Sequence, residues 1–198
     1  YGKVYDLQAL ENMEVFYRYV DPDGDGICYR TLPGVHPKGA YLIRGSGHNQ
    51  YGGYTERDDE YLEVVDRLRR KFDTAANLVP EPVIEVCDQP DGAIISIGSC
   101  DGAVRETRDQ LKSEGIRLDY MRLRAFPFGE TVRKFLATHD RIFVVEQNRD
   151  AQLRSLLITE TNTSSEKLIP VLYYGGQPIS CEDIVGPIAE RIRKEKAA

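Results

Sequence analysis

Three stretches of the sequence carry residue types that could do chemistry. The first is Asp21-Pro-Asp-Gly-Asp-Gly26, with carboxylates at alternate positions ahead of a glycine. An EF-hand calcium loop begins this way but needs a bidentate Glu at its twelfth position. That position is Leu32, and Pro33-Gly34 blocks the helix that should follow. Gly24-Asp25-Gly26 with Asn49 also echoes the two ends of a diphosphate–magnesium motif. Such a motif places its Asp at a buried strand end, with a helix behind it. Arg18-Tyr-Val-Asp-Pro-Asp23 is no such strand end, and Pro33, Gly34, Pro37 and Gly39 deny the helix. The run is expected to be a solvated Asp/Gly turn.

The second stretch is Gly98-Ser99-Cys100-Asp101-Gly102, a G-x-C-x-G of the nucleophile-elbow kind. Its base would have to be His139, the only histidine after Cys100. His139 precedes the apolar strand 142–145 and so belongs at the N-terminal edge of a parallel sheet. Cys100 follows its own strand and belongs at the opposite edge, roughly 17 Å away. A helix start capped by Ser99 and Asp101 beside a core thiol is favoured over a small cysteine hydrolase.

The third stretch is Glu146-Gln147-Asn148, which with Arg124-Ala-Phe-Pro127 falls at the sheet edge where open α/β folds bind ligands. These groups either face a ligand or partner, or cap helices. His48, in Gly45-Ser-Gly-His-Asn-Gln-Tyr-Gly-Gly-Tyr-Thr-Glu56, has no second His or Cys nearby and reads as a structural histidine. No catalytic residue and no metal ligand is expected in this chain.

The elements that position these residues follow from periodicity. Residues 81–198 alternate strands and helices. Val83–Val86 and Ala93–Gly98 are short strands whose brief connection predicts an antiparallel pair. Helix 102–114, strand 116–124, helix 130–138, strand 142–145, helix 150–158, strand 168–174 and a helix started by Ser180 and Asp183 follow. Pro170 pushes its strand to an edge. The sum is a three-layer α/β/α domain with a mostly parallel sheet and one antiparallel strand. Residues 1–80 read differently, as an irregular arm with helices at 7–19 and 58–75 around a Gly- and Pro-punctuated stretch. Such an arm is expected to lie on a partner or another domain.

Bulk properties narrow the function classes. A net charge of −6 argues against a nucleic-acid binder. No apolar run approaches the roughly 18–20 residues of a membrane span, and the first residues do not resemble a signal peptide. Cys28, Cys87, Cys100 and Cys181 are scattered without a Cys-x-x-Cys pair, as in a reduced cytoplasmic protein. The chain opens at Tyr1 rather than Met, which suggests a piece of something longer.

Several separated strings then occur in a telling order. They are Phe16-Tyr-Arg-Tyr19, Arg30-Thr-Leu-Pro-Gly34, Gly45-x-x-His48-x-x-Tyr51-Gly-x-x-Thr-Glu56 and Arg67-x-Arg-Arg-Lys71. Ile97-Gly-Ser99, Gly102-Ala-Val-Arg-Glu106, Met121-Arg-Leu-Arg-Ala-Phe-Pro-Phe128, Val144-Val-Glu-Gln-Asn148, Gln152-Leu153 and Gly176-Gln-Pro-Ile179 follow. Together they resemble the C-terminal portion of the alpha subunit of 2-oxoacid:ferredoxin oxidoreductases of the pyruvate/2-oxoglutarate type, over nearly the whole chain.

The resemblance implies a parent enzyme that oxidatively decarboxylates a 2-oxoacid to an acyl-coenzyme A. It would use thiamine diphosphate, magnesium and an iron–sulfur cluster, none of them bound by this chain. Residues 81–198 would be a transketolase C-terminal-like assembly domain. Partners would be the beta subunit, the N-terminal domains of the same subunit and, indirectly, ferredoxin, in an oligomer. The isolated chain would be inactive, since the thiamine-contacting Thr and the substrate Arg lie upstream. His48, Glu56, Ser99, Asp101, Glu146, Gln147 and Asn148 are interface or structural candidates. The family's loop carries Glu before the His and an acidic pair after it, where this chain has Gly47, Asn49 and Gln50. A non-enzymatic interaction module is the remaining alternative.

Overall fold

The computed structural model describes residues 2–197; the opening Tyr1 lies outside the described residues. The chain divides into two units, Tyr1–Leu78 and Val79–Ala198.

In the first unit, Asp6 accepts a hydrogen bond from the Ala9 amide (2.8 Å) and starts α1, Leu7–Asn12. This helix stops well short of the expected residue 19. Met13 is extended, and the β-branched and aromatic run Val15-Phe-Tyr17 disfavours continuation. The extended course lets buried Phe16 pack edge-on against Tyr5 and Tyr41, at 6.1 and 5.7 Å between ring centroids.

The second helix, α2 (Asp58–Ala75), has three acidic residues in its first turn, where the dipole favours them. Val64 is its only buried residue; Tyr61, Leu62, Val65, Leu68 and Phe72 are exposed. Its inner side rests on the Asp/Gly run. Asp21 accepts from the amides of Gly24 (3.1 Å) and Gly26 (2.7 Å), while Lys3 bridges Asp23 and Asp25 at 2.6 Å each. Arg67 and Thr74 bond the carbonyls of Gly26 (3.0 Å) and Asp25 (2.6 Å). The bond from Lys3, helped by the Ile27 amide, holds the Asp25 carboxyl below the ordinary range.

The second unit contains β1 (Val83–Glu85), β2 (Gly92–Ile97), α3 (Asp101–Ser113), β3 (Leu118–Leu123), α4 (Glu130–Thr138), β4 (Ile142–Glu146), α5 (Gln152–Thr161), β5 (Leu168–Leu172) and α6 (Glu182–Lys196). Sheet order is β1-β3-β2-β4-β5, parallel except for β1. The fold is the expected three-layer α/β/α arrangement. Successive residues point to opposite faces, so Ile94 packs with Val104, Leu111 and Ile188 from α3 and α6, while Ile95 packs with Val132, Phe135 and Leu157 from α4 and α5.

One pairing differs from expectation. The antiparallel strand β1 lies on β3, with Ile84 opposite Met121, and not on β2. The connection 86–91 does not close a hairpin because Asp91 is held by Arg117, amide to carbonyl at 2.7 Å and carboxylate to amide at 2.9 Å. β5 is an edge strand, as Pro170 predicts. The Tyr173 amide donates to Glu146 and the Lys167 carbonyl accepts from Ile142, so odd-numbered residues face β4 and Pro170 turns its nitrogen outward.

Candidate functional site

The strand order reverses direction between β2 and β4, because the chain goes from β2 to β3 on one side and then crosses to β4 on the other. The C-terminal ends of these two strands form the crevice where open α/β sheets place ligands. Ser99, Asp101, Glu146, Gln147 and Asn148 all fall here.

Each is engaged by the protein itself. Glu146, only 3% exposed, accepts the amides of Leu153 (2.7 Å) and Arg154 (3.0 Å) at the start of α5, and the Asn148 side-chain amide (2.7 Å). Asn148 in turn accepts from the amides of Asp150 (3.1 Å) and Gln152 (3.2 Å). These bonds hold Ala151 in a left-handed conformation (φ 51°) at the head of α5. That conformation costs an L-residue about 1–2 kcal/mol. Gln147 bridges three segments: its side-chain NH2 donates to Ser99 Oγ (2.9 Å) and its carbonyl accepts from the Ile179 amide (3.1 Å). The edge also carries Phe126, joined by a cis peptide to Pro127 and packed edge-on to Phe128 at 5.3 Å.

Asp101 opens α3 and accepts from the Tyr120 hydroxyl (2.9 Å) and Arg105 (3.2 Å), with Arg122 at 3.5 Å. Burial acts to raise its carboxyl, but the bonds from Tyr120 and Arg105 outweigh it and hold it below the usual range. Tyr120 also meets Ser96 Oγ at 2.8 Å. Burial, reinforced by the Asp101 carboxylate, pushes this phenol up to about 12. The Ser96–Tyr120–Asp101 chain was not foreseen from sequence. Its signal is a tyrosine in the middle of a buried strand, whose hydroxyl must find a partner.

Cys100 is buried, and burial raises its thiol despite the opposing Gln147 side chain at 3.7 Å. His139 is engaged elsewhere: Nδ1 meets the Phe135 carbonyl (2.7 Å) and Nε2 meets Asp119 (3.0 Å), which also accepts from the Cys87 amide (2.8 Å). The elbow therefore has a neutral thiol and no histidine beside it. Iodoacetamide at neutral pH is expected to label Cys28 and Cys87, both half-buried, well before Cys100. Rapid labelling of Cys100 that is lost in His139→Ala would restore the hydrolase reading.

His48 and Glu56 belong to the first unit. His48 stacks on Tyr19 (centroids 4.1 Å apart, planes at 29°), and its Nδ1 lies 2.8 Å from the Asn49 carbonyl. Asn49 closes the loop by accepting from the amides of Tyr51 (3.1 Å) and Gly53 (3.0 Å). Glu56 is exposed and bonded to the Tyr54 hydroxyl.

Residues 91–184 match the family described as pyruvate:ferredoxin oxidoreductase core domain II. The chain is 28% identical, over 187 residues, to subunit alpha of 2-oxoacid:ferredoxin oxidoreductase 2 from Aeropyrum pernix, covering 91% of this chain and 28% of that protein. It is 28% identical over 155 residues to the alpha subunit of the Saccharolobus solfataricus enzyme, covering 76% of this chain and 24% of that one. A 2-oxoglutarate:ferredoxin oxidoreductase from Magnetococcus marinus, solved with 2-oxoglutarate, coenzyme A and succinyl-CoA bound, superposes with a TM-score of 0.77 at 25% identity. That match covers 96% of this chain and 32% of the other. The chain thus spans a quarter to a third of the proteins it matches. In these comparisons the second unit matches core domain II, and the chain as a whole is similar to a portion of the alpha subunits of 2-oxoacid:ferredoxin oxidoreductases.

Proposed function

We propose that this chain is an assembly portion of an alpha subunit whose complete enzyme oxidatively decarboxylates a 2-oxoacid to an acyl-coenzyme A and passes the electrons to ferredoxin. The observation that carries the assembly role is the contrast between the two units. At the sheet crevice the polar groups are spent on the protein's own helix starts. The first unit instead exposes an apolar stripe along α2, with Leu62 at 59% and Val65 at 42%. A stripe of that kind needs a protein surface against it. The occupant proposed is another part of the same oxidoreductase, the beta subunit or the remaining alpha-subunit domains.

Thiamine diphosphate, magnesium and an iron–sulfur cluster would be the complete enzyme's cofactors. The residues of this chain do not fit them. Lys3 is bonded to both Asp23 and Asp25, Asp21 holds two backbone amides, and the four thiols are dispersed. Coenzyme A is a substrate of the proposed reaction. Among the described residues no helix is long and apolar enough to cross a membrane, and four free thiols suit a cytoplasmic setting.

Co-expression of the chain with the other parts of the oxidoreductase tests the reading. The chain is expected to co-purify with them, and Leu62→Asp/Val65→Asp to lose that association while keeping its own melting temperature. Decarboxylation of pyruvate or 2-oxoglutarate by the isolated chain, or undiminished co-purification of the double variant, would overturn it.

A further inference from the structure

In a protein of net charge −6, one concavity of the first unit is lined by cations. Its volume is about 520 Å³, and Arg18, Arg30, Arg67 and Lys71 line it together with Tyr19 and His48. Lys3 also borders it but is neutralised by Asp23 and Asp25. Among the described residues, no carboxylate is part of the lining. Asp21 is committed to the Gly24 and Gly26 amides and lies 3.8 Å from Arg70.

Two of the cations are held by backbone carbonyls. Arg18 donates to the Tyr29 carbonyl (3.2 Å) and Arg67 to the Gly26 carbonyl (3.0 Å). The Arg67 Nε is buried without a hydrogen-bond partner among the described residues. The Lys71 ammonium makes neither hydrogen bond nor ion pair among them. The fields of Arg67, Arg18 and Lys71 converge on the Cys28 thiol, opposed by Asp21, although burial is the larger influence there and raises that thiol. Several like charges facing one small space repel each other, and a bound anion would relieve this.

We propose that this concavity binds a phosphate ester or diphosphate group of a small molecule. Guanidinium forks match phosphate oxygens, and a lysine adds a point charge. A group carrying about two negative charges meets this excess better than a single carboxylate does. The volume falls within the roughly 300–1,000 Å³ usual for small-molecule sites. The stacked Tyr19 and His48 rings add an apolar wall. The inference stands apart from the assembly role, since it concerns the inner side of α2 and not its outward stripe.

Calorimetric titration of the whole chain at low salt with pyrophosphate, inorganic phosphate and 2-oxoglutarate tests it. Pyrophosphate is expected to bind saturably and more tightly than 2-oxoglutarate. Lys71→Gln, which removes a group with no structural bond, is expected to weaken binding about tenfold, equivalent to one charge-assisted hydrogen bond. Arg69→Gln is the control: two residues away on the same helix, it points roughly 200° from Lys71 and is expected to bind as the parent does. Absence of saturable binding by either phosphate probe at millimolar concentration overturns the proposal. So does an equal loss in Lys71→Gln and Arg69→Gln, which would mean unspecific attraction, or 2-oxoglutarate binding as tightly as pyrophosphate.

Discussion

Gly26→Ala is expected to detach α2 from the Asp/Gly run. A Cβ at this position would stand 2.2 Å from the Lys71 amide nitrogen, 2.7 Å from its Cα and 2.8 Å from the Arg67 carbonyl oxygen. These are backbone atoms in mid-helix, which cannot swing aside as a side-chain tip does. The residue also sits at φ 84°, where an L-side chain is strained. Strain and clash together should cost at least about 3 kcal/mol, at the upper end of single-substitution effects. The bonds from Arg67 and Thr74 to the turn would be lost with it. Gly24→Ala separates the two causes. It has a similar φ of 74° but open space around the added carbon, so only the conformational cost of about 1–2 kcal/mol remains. Amide exchange along α2 should therefore accelerate far more in Gly26→Ala than in Gly24→Ala. Equal protection in the two variants would refute the close-packing account.

Glu146→Ala should be nearly as damaging in the second unit. The carboxylate is the shared acceptor for the Leu153 and Arg154 amides and for the Asn148 side chain. Its removal leaves the Leu153 amide buried without a partner and takes a negative charge from the positive end of α5. Loss of a buried charge-assisted acceptor is worth about 3 kcal/mol. Ala151 would also lose the frame that holds its left-handed backbone. Glu146→Gln keeps one carbonyl oxygen for an amide and should cost about half as much. Chemical denaturation with an unchanged m-value, and exchange of the Leu153 and Arg154 amides, give the comparison. A loss under about 1 kcal/mol in Glu146→Ala would mean that α5 is started by packing alone.

The second unit was readable because its elements are pure examples of their periods. Ile142-Phe-Val-Val145 is continuously apolar since both faces of β4 are covered, and Ile184, Ile188 and Ile192 mark one side of α6. The partner of β1 was not readable: a short connection suggests a hairpin, but Asp91 ties down to Arg117, a residue 26 positions away. The Asp/Gly run was legible as a turn, though not its purpose. Glycine at 26 reports the approach of α2, and nothing local in the sequence announces that approach. Likewise, Glu146, Gln147 and Asn148 are visible as polar residues at a strand end. Whether they serve a ligand or the next helix depends on a backbone geometry that only the folded chain supplies. The convergence of Arg18, Arg30, Arg67 and Lys71 depends on three separate segments meeting, so spacing along the chain conceals it.

The outward turn of Pro170 bears on how the second unit behaves in a crowded solution. A sheet edge is a row of unpaired donors and acceptors that invites a strand from another molecule. On β5 the outward-facing residues are Leu168, Pro170 and Leu172, and the middle one has no N–H to offer. The opposite edge, β1, is only three residues long. An incoming strand would find a missing donor at the centre of one edge and too short a template at the other. The sheet is thereby guarded against strand-by-strand aggregation at both ends, leaving protein contacts to its helices and loops.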